Sequence, residues 1–183
     1  MIATAEDRRH ALAEAFGDQV SFRAWYDDAV GRVYGYLYGR CGGDIEVAED
    51  ITQQTFLQAI RHWRTFDGRS DPVTWLCSIA RNKLADHYRE LDRQRRRHLR
   101  LVVREIEADS PNPDRLVDDR EAIVSALRQL PSMERTALVL RYLDDLSVRD
   151  VAALLGRSVD GTDALIRRAK SRFRTIYPEA FDE

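Results

Sequence analysis

Apolar residues recur at intervals of three and four along most of this chain, which is the spacing that places them on one face of an α-helix. The first such face follows Ser21 and comprises Phe22, Trp25, Tyr26, Ala29, Val33, Tyr36 and Leu37. The pair Gly42-Gly43 ends this helix, since glycine adopts the left-handed backbone that closes helices. Asp44 is placed to cap a second helix over residues 44–66. The buried stripe predicted for this second helix is Ala48, Ile51, Thr55, Ala59 and Trp63.

A third helix is predicted to begin at Pro72, because proline fits the first turn of a helix, and to continue to Leu91. Its apolar face comprises Trp75, Leu76, Ile79, Ala80, Leu84 and Tyr88. The following segment EADSPNPDRLVDD, residues 107–119, has the prolines, serine and acids typical of a linker. Helical spacing then returns over residues 120–130, 132–143, 148–155 and 159–176. No long alternating β-branched run interrupts this pattern, so the predicted fold is all-α.

The pattern predicts two small helical domains joined by a flexible acidic linker, which a chain of 183 residues is long enough to form. The arm that precedes them is predicted to be weakly ordered or a short helix. The predicted division is an arm over residues 1–20, a first domain over 21–92, a linker over 93–119, a second domain over 120–177 and a tail over 178–183. The chain shows neither a signal-peptide core nor a run of about 18 apolar residues, so we expect a cytoplasmic protein that does not bind membranes.

Charge is distributed unevenly along the chain. The formal net charge is −2, which by itself argues against nucleic acid as a partner. Two segments are nevertheless strongly basic: Arg89–Arg104 has seven arginines against two acids, and Arg157–Arg174 has six basic residues against two acids. The intervening Glu105–Glu121 has seven acids against two arginines. The basic segments suit phosphate binding, although such runs are also common on ordinary solvated faces.

Residue types that carry chemistry are plentiful, but they form no recognisable catalytic or metal-binding arrangement. Cys41 and Cys77 form no metal-binding pair, and we interpret them as reduced thiols that help to fill a core. The four histidines lie apart, without the spacing of metal ligands, and no glycine-rich phosphate loop is present. The sequence therefore predicts neither an enzyme nor a cofactor or metal site.

The segment Ser147–Arg174 has the spacing of a helix-turn-helix. Ser147 and Asp150 are predicted to form a capping box, in which the hydroxyl accepts from the Asp150 amide and the carboxylate accepts from the Ser147 amide. Gly156 supplies the left-handed residue of the turn.

The second helix of such a motif can lie in the major groove of DNA with its first turns on the base edges. The residues at that end are Arg157, Ser158, Asp160, Thr162 and Asp163. The basic residues that follow can contact phosphates, and they are Arg167, Arg168, Lys170 and Arg172. The alternative is a structural helical hairpin with a solvated basic face.

Aromatic and basic residues interleave in the middle of the chain, a composition that suits single-stranded nucleic acid because rings stack on bases and cations follow the backbone. The residues are Phe66, Arg69, Trp75, Arg81, Asn82, Lys83, Tyr88 and Arg89. Trp75 also fits the apolar face of its helix, so a core role is the favoured interpretation for it. The polar loop Asp67–Asp71 has no role in a core and is the better candidate for holding an unstacked base.

A third segment, AEDITQQTFLQAI, presents acids and amides beside an apolar residue. Its exposed face is predicted to offer Glu49, Asp50, Gln53, Gln54 and Leu57. Such a face suits a protein partner, which charge would steer and the apolar group would anchor. Taken alone it is equally consistent with an ordinary solvated face.

Together these segments resemble one family, the sigma factors of bacterial RNA polymerase, in the small two-domain extracytoplasmic-function group (group IV of the sigma-70 family). AEDITQQTFLQA resembles the family's region 2.2, and TWLCSIARNKLADHYR resembles regions 2.3 and 2.4. The segment that begins LPSMERTALVL and ends AKSRFR resembles region 4. The match extends from Phe22 to Phe173, with the motifs in the family's order and spacing.

The resemblance implies a protein that binds core RNA polymerase, through the β′ clamp helices and the β flap, and directs it to promoter DNA. It also implies an anti-sigma factor as a further partner. The polymerase-binding residues it implies are Glu49, Asp50, Gln53, Gln54, Phe56 and Leu57. Those for an opened −10 element are Phe66, Asp67, Gly68, Arg69, Ser70, Trp75, Arg81, Asn82, Lys83 and Arg89. Those for a duplex −35 element are Arg157, Ser158, Asp160, Thr162, Asp163, Arg167, Arg168, Lys170 and Arg172.

The sequence departs from the family's pattern in two places. The family usually has an acid where Gln54 stands, and the basic residues that many members carry early in the second helix of region 4 are absent here. The residues that read −35 bases therefore do not transfer from the family. The alternative function is a helix-turn-helix regulator that binds duplex DNA without polymerase.

Overall fold

The structure is a computed structural model that describes residues 4–99 and 119–178. Every regular element among those residues is a helix, so the predicted all-α fold is confirmed. The chain divides into two compact units. The first unit is Met1–Tyr38 with Ile45–Leu84, and the second unit is Gly39–Asp44 with Ala85–Glu183.

The first unit is built from four helices, two of which continue into the second unit. They are α1 (Ala5–Ala15), α2 (Gln19–Arg40), α3 (Ile45–His62) and α4 (Pro72–Leu99). The arm predicted before Ser21 is thus a helix over most of its length. Thr4 begins α1 with a capping box: its hydroxyl accepts from the Asp7 amide at 3.2 Å, and its own amide donates to the Asp7 carboxylate at 2.8 Å.

The core of the first unit has an aliphatic part and an aromatic part. The predicted stripe of α3 is buried at Ala48, Ile51, Thr55 and Ala59. Rings from α2 and from the turn after α3 pack around Phe16, whose centroid lies 5.1 Å from that of Trp25 and 5.5 Å from that of Trp63. Trp63 belongs to a short 3-10 turn, Trp63–Thr65, so the α-helix predicted to reach residue 66 ends at His62.

Helix α4 is longer than predicted, because it continues to Leu99 and not to Leu91. Arginine and glutamine favour helices, and side chains four residues apart support each other along the added turns. Arg96 donates to the Asp92 carboxylate at 2.6 Å, and Gln94 donates to Glu90 at 3.2 Å. The basic run that was assigned to the start of the linker is therefore helical.

The second unit contains four further helices beside the end of α4. They are α5 (Asp119–Arg128), α6 (Ser132–Leu138), α7 (Val148–Leu155) and α8 (Val159–Ile176). The predictions for α7 and α8 agree with their observed limits. The single helix predicted over residues 132–143 is divided, because its last five residues, Val139–Leu143, form a π-helical turn.

Two apolar clusters hold the second unit together. One joins α6 and the π-helical turn to α7 and α8 through Ala137, Leu140, Val151, Leu155, Leu165 and Ile166, all at most 5% exposed. The other comprises Leu127, Leu130, Leu138, Val139 and Ala169.

The acidic linker segment at residues 107–118 lies outside the described residues. Among the helices that are described, none is both long and apolar enough to cross a membrane. The described residues contain no group of three or more histidine, cysteine, aspartate or glutamate side chains placed to hold a metal ion.

Candidate functional site

The helix-turn-helix of α7 and α8 is fixed by short-range backbone chemistry. Gly156 has φ of 60° and ψ of 40°, the left-handed conformation predicted for the turn. Ser158 begins α8, and its hydroxyl accepts from the Gly161 amide at 3.1 Å. Ser147 begins α7 and accepts from the Asp150 amide at 3.2 Å, as predicted. The second half of the predicted capping box differs, because the Asp150 carboxylate accepts from the Ser147 hydroxyl at 2.6 Å.

The predicted base-reading end of α8 contains residues of different exposure. Asp160 is exposed, whereas Thr162 is fully buried. Thr162 therefore packs inside the unit, and the expectation that it reads a base does not fit its position. Ser158 is exposed but uses its hydroxyl as the helix cap. Arg157 is partly exposed and pairs with Asp92, also of the second unit, at 3.6 Å.

The basic residues of α8 divide into two kinds. Arg167 and Arg168 are exposed, and Arg167 pairs with Asp163 at 3.1 Å along the helix. Arg172 instead pairs with Glu134 at 2.9 Å, and the Glu134 side chain is only 11% exposed. Lys170 lies over the ring of Tyr142, with its Nζ 5.7 Å from the ring centroid. Of the four basic residues predicted to contact phosphate, Arg167 and Arg168 are thus the most available.

The loop after α3 presents polar side chains from a tightly folded backbone. The Asp67 carboxylate accepts from the Arg69 amide at 3.0 Å and pairs with the Arg69 guanidinium at 3.3 Å. Asp71 accepts from the Val73 amide at 2.9 Å, which fixes the start of α4. Ser70 is partly exposed.

Two of the residues predicted to touch −10 DNA are buried in the first unit. Phe66 is 5% exposed and lies 5.4 Å from Trp75, centroid to centroid. Gly68 is also buried, with φ of +74°. Phe66 therefore packs in the core, and no stacking surface of it faces solvent. The core role favoured for Trp75 is consistent with this ring contact, although Trp75 remains partly exposed.

The basic face of α4 is partly engaged within the protein. Asn82 is exposed, and Lys83 is partly exposed. The Arg81 Nε atom is buried without a hydrogen-bond partner. Arg89 pairs with Asp86 one turn earlier. The Arg89 Nε atom is likewise buried without a hydrogen-bond partner, so this face offers amide and ammonium groups together with two guanidinium groups that are incompletely satisfied.

The exposed face of α3 combines acids, amides and apolar side chains. Glu49, Asp50 and Gln53 are exposed, and Gln54 donates to the Asp50 carboxylate at 2.8 Å. Leu57 is 48% exposed. Other large apolar side chains of α3 that are exposed but were missed from the sequence are Ile45 and Ile60.

Phe56 does not belong to that exposed face, although the family resemblance placed it among the polymerase-binding residues. It is 3% exposed, and its ring centroid lies 4.7 Å from that of Tyr26. Phe56 therefore supports α3 from inside the first unit. The groove of about 780 Å³ between α2 and α3 is lined instead by Tyr26 and Tyr34 beside Glu46 and the other acids. Tyr26 was missed because it fits the apolar stripe predicted for α2, whereas Tyr34 lies outside that stripe and was not considered.

The second unit carries an apolar groove of about 240 Å³ that sequence reasoning missed. Its lining residues are Ile123, Leu127, Leu138, Val139, Tyr142, Leu143, Lys170 and Phe173. Tyr142 and Leu143 are 55% and 52% exposed, which is high for such large apolar groups. The sequence signal for this groove was the run VLRYL, residues 139–143. Its last two residues, Tyr142 and Leu143, do not fit the apolar stripe that continues from α6.

A buried polar cluster also lies in the second unit. Arg135 is 7% exposed and donates from its Nη2 to the Tyr88 hydroxyl at 2.9 Å, while its Nε has no partner. Burial raises the pKa of the Cys41 thiol to about 12 and that of the Tyr88 phenol to about 12, with the nearby guanidinium opposing both shifts. Both groups are therefore neutral at pH 7.

Comparison with known proteins identifies a family for both halves of the chain. Residues 25–94 match the family model of sigma-70 region 2, and residues 120–173 match that of sigma-70 region 4. The chain is 34% identical over 177 residues to the ECF RNA polymerase sigma factor SigC of Mycobacterium tuberculosis, an alignment that covers 93% of this chain and 92% of SigC. The chain therefore belongs to the extracytoplasmic-function group of the sigma-70 family of RNA polymerase sigma factors.

Two further proteins extend this comparison. The ECF sigma factor BldN of Streptomyces coelicolor is 33% identical over 172 residues, which cover 89% of this chain but only 62% of BldN. The sigma factor RpoE of Bartonella quintana, solved in complex with its anti-sigma factor NepR, shares the fold with a TM-score of 0.50 and 22% identity. That similarity covers 88% of this chain and 98% of RpoE.

Proposed function

We propose that this sigma factor binds core RNA polymerase and directs it to promoters by reading a −10 element as an opened non-template strand and a −35 element as duplex. The observation that carries the proposal is α8, whose Arg167 and Arg168 are exposed behind a turn closed by Ser158. A chain of net charge −2 gains little non-specific affinity for DNA on its own. Docking on polymerase would compensate for this low affinity, because it would hold the basic surfaces of the chain at the promoter. Its role is to bind and position, without catalysing a reaction.

The polymerase surface of this proposal is the exposed face of α3. Acids and amides would meet the β′ clamp helices at the rim, and Leu57 and Ile60 would anchor the contact by losing their exposure to water. The acid that the family usually has at Gln54 is absent, but Asp50 holds a carboxylate 2.8 Å from the Gln54 amide. A negative charge is thus present at Asp50, one helical turn before Gln54.

The −10 surface is the loop Asp67–Asp71 together with Asn82 and Lys83 of α4. Extruding a base from the duplex costs a few kcal/mol, and contacts to the extruded base and the backbone offset this cost. Asp67 and Arg69 supply acceptor and donor groups that are 60% and 87% exposed. Because Phe66 is buried, the proposal assigns it to support of the loop and not to stacking on DNA.

The −35 surface is α8. Arg167 and Arg168 would contact phosphates and fix the position of the helix in the groove, and Asp160, which is exposed at the first turn, would contact base edges. An aspartate accepts hydrogen bonds and pairs well with the amino group of cytosine.

The remaining partners follow from the same proposal. The apolar groove beside Tyr142 and Leu143 is the surface for the β flap, and an anti-sigma factor would inhibit the protein by covering surfaces that polymerase needs. The protein acts in the cytoplasm, without a cofactor. Its proposed domains are those predicted, with residues 21–92 and 120–177 as the two binding domains, and the basic turns at residues 93–99 extending α4.

The test is transcription by core polymerase on a library of randomised promoters, with and without the purified chain. We expect the chain to enrich one pair of elements that core polymerase alone does not select. Binding of the chain alone to a specific duplex, without any effect on polymerase, would instead establish the regulator alternative.

A paired variant tests the polymerase surface directly. Glu49→Lys with Asp50→Lys should weaken binding to core polymerase at least about tenfold, because charge reversal opposes the partner's potential. Asp28→Lys is the control, since Asp28 is an exposed acid on α2 outside the groove. Equal effects of the two changes on affinity would contradict the assignment.

A further inference from the structure

Helix α1 holds the loop that we assign to the −10 element. The Arg8 Nε atom donates a hydrogen bond of 2.8 Å to the carbonyl oxygen of Gly68, across a sequence separation of 60 residues. Arg8 is partly exposed, and the bond is partly buried. A charged donor on a backbone carbonyl is one of the stronger hydrogen bonds in proteins. The loop backbone is thus fixed by a residue outside the three motifs found in the sequence.

The contact at Gly68 leaves no room for a side chain. A Cβ built on Gly68 would lie 1.9 Å from the Ala5 carbonyl oxygen and 2.7 Å from the Ala5 carbonyl carbon. Gly68 also has φ of +74°, which side-chain-bearing residues rarely adopt. The first turn of α1 and the loop therefore touch backbone to backbone, and the loop's path depends on where α1 lies.

The position of α1 is itself determined by packing. Leu12 is 2% exposed and Ala15 is 8% exposed, so one face of α1 is buried in the first unit. Phe16 follows α1 and stacks on Trp63, in the turn immediately before the loop, with an interplanar angle of 23°. The helix thus supports the loop at Gly68 and at the turn that leads into it.

This support leaves the chemistry of the loop available. Arg8 contacts the loop through a backbone carbonyl, whereas the Asp67 and Arg69 side chains stay 60% and 87% exposed. Arg8 is thus a positioning residue, and the Asp67 and Arg69 side chains are the groups that it positions. Small displacements of a recognition group cost specificity because hydrogen bonds to base edges depend on geometry.

We propose that Arg8 is a positioning residue for promoter recognition, and that α1 sets the base preference of the −10 loop by fixing the Gly68 carbonyl. The inference rests on the proposed function. It adds a residue that touches neither DNA nor polymerase but determines how sharply the loop discriminates.

The experiment uses the full chain with core polymerase and a promoter library randomised through the −10 element. Arg8→Ala should reduce discrimination at the base read by the loop about tenfold, the effect of losing one charged hydrogen bond, while affinity for core polymerase stays unchanged. Arg8→Lys should restore part of the discrimination, because an ammonium can still donate to the carbonyl. Arg23→Ala is the matched control, since Arg23 is an exposed arginine of α2 whose partner is Asp27.

The possible outcomes distinguish failure of this inference from failure of the proposed function on which it rests. If wild-type chain initiates at selected promoters and Arg8→Ala keeps the same base preference, the inference is wrong and the proposed function stands. A uniform loss on all sequences together with a lowered melting temperature, not rescued by Arg8→Lys, shows a purely structural role and also overturns it. If the wild-type chain selects no promoter, the proposed function and the inference both fall.

Discussion

Two glycines mark the two regions that we propose to read DNA, and these glycines are held in different ways. Gly156 in the helix-turn-helix and Gly68 in the −10 loop both have positive φ, of 60° and 74°. The turn at Gly156 is closed by Ser147 and Ser158, which lie within nine residues of it. The loop at Gly68 is closed by Ala5 and Arg8, some sixty residues earlier. One reading surface is built locally, and the other depends on tertiary packing.

The space around each glycine shows the same difference. At Gly156 an added Cβ would meet only the flexible side chain of Arg89, at 3.7 Å, whereas at Gly68 it would meet backbone at 1.9 Å. Gly156 is required for its backbone conformation alone. Gly68 is required both for its conformation and for the approach of α1.

Alkaline pH should produce the largest effect, and it should act on the unit that carries the helix-turn-helix. Cys41 and Tyr88 are buried there with pKa values raised to about 12, so the folded state binds more protons than the unfolded chain above pH 9. Their contribution to stability is complete below pH 9 and is lost as pH rises towards 12.

The two units can be followed separately during such a titration. All three tryptophans, Trp25, Trp63 and Trp75, belong to the first unit. Helicity by circular dichroism should therefore fall before tryptophan fluorescence changes. Cys41→Ala should move the onset upwards, from near the thiol's ordinary value of 9.0 towards the phenol's value of 10.0. If helicity and tryptophan fluorescence changed at the same pH, and Cys41→Ala left the onset unchanged, the effect would not be specific to the second unit.

Alanine at the two glycines should give the next largest effect. Gly68→Ala adds a backbone clash to the cost of positive φ and should lower the free energy of unfolding by about 3 kcal/mol. Gly156→Ala adds only the conformational cost, about 1 kcal/mol. Chemical denaturation measures both. Gly35→Ala, at a helical position with nothing within 4 Å, serves as the control and should be neutral or slightly stabilising. Equal costs at Gly68 and Gly156 would show that the backbone contact with α1 does not distinguish the two glycines.

The smallest effect should distinguish the two regions by the form of DNA that each is proposed to bind, duplex or opened strand. Arg167→Ala should weaken binding of the polymerase complex to duplex containing the −35 element, and it should reduce the slope of log affinity against log salt by about 1. Arg69→Ala should leave that slope unchanged, because its loop is assigned to an opened strand. Affinity measured at several salt concentrations gives both slopes. A smaller slope for Arg69→Ala as well would place the loop on duplex phosphates.

Sequence reasoning predicted the parts of the molecule that are determined locally. The limits of α7 and α8, the cap at Ser147 and the left-handed Gly156 depend on neighbouring residues, and all were found. The end of α4 was placed too early, because composition suggested a linker where ion pairs support further turns.

The candidate sites were predicted less completely, since burial depends on which elements pack together. Phe56 and Phe66 carry the residue type expected at binding surfaces, yet each turns towards another ring. Thr162 lies between partly exposed residues of α8 in sequence but on the inner side of the helix in space. The contact between Arg8 and Gly68 has no sequence signal, because a backbone carbonyl looks the same at every position.

The first two turns of α8 contain both residues that the fold requires and residues that it does not require. Thr162 and Leu165 are buried and hold the helix in place, whereas Asp160 is exposed and supports no observed packing. Under the proposed function, a protein built in this way would acquire a new target sequence by exchanging a few surface residues of α8 while its fold stays intact. For an engineer, the same division defines which positions of α8 to randomise when retargeting the protein to a different promoter and which to leave untouched.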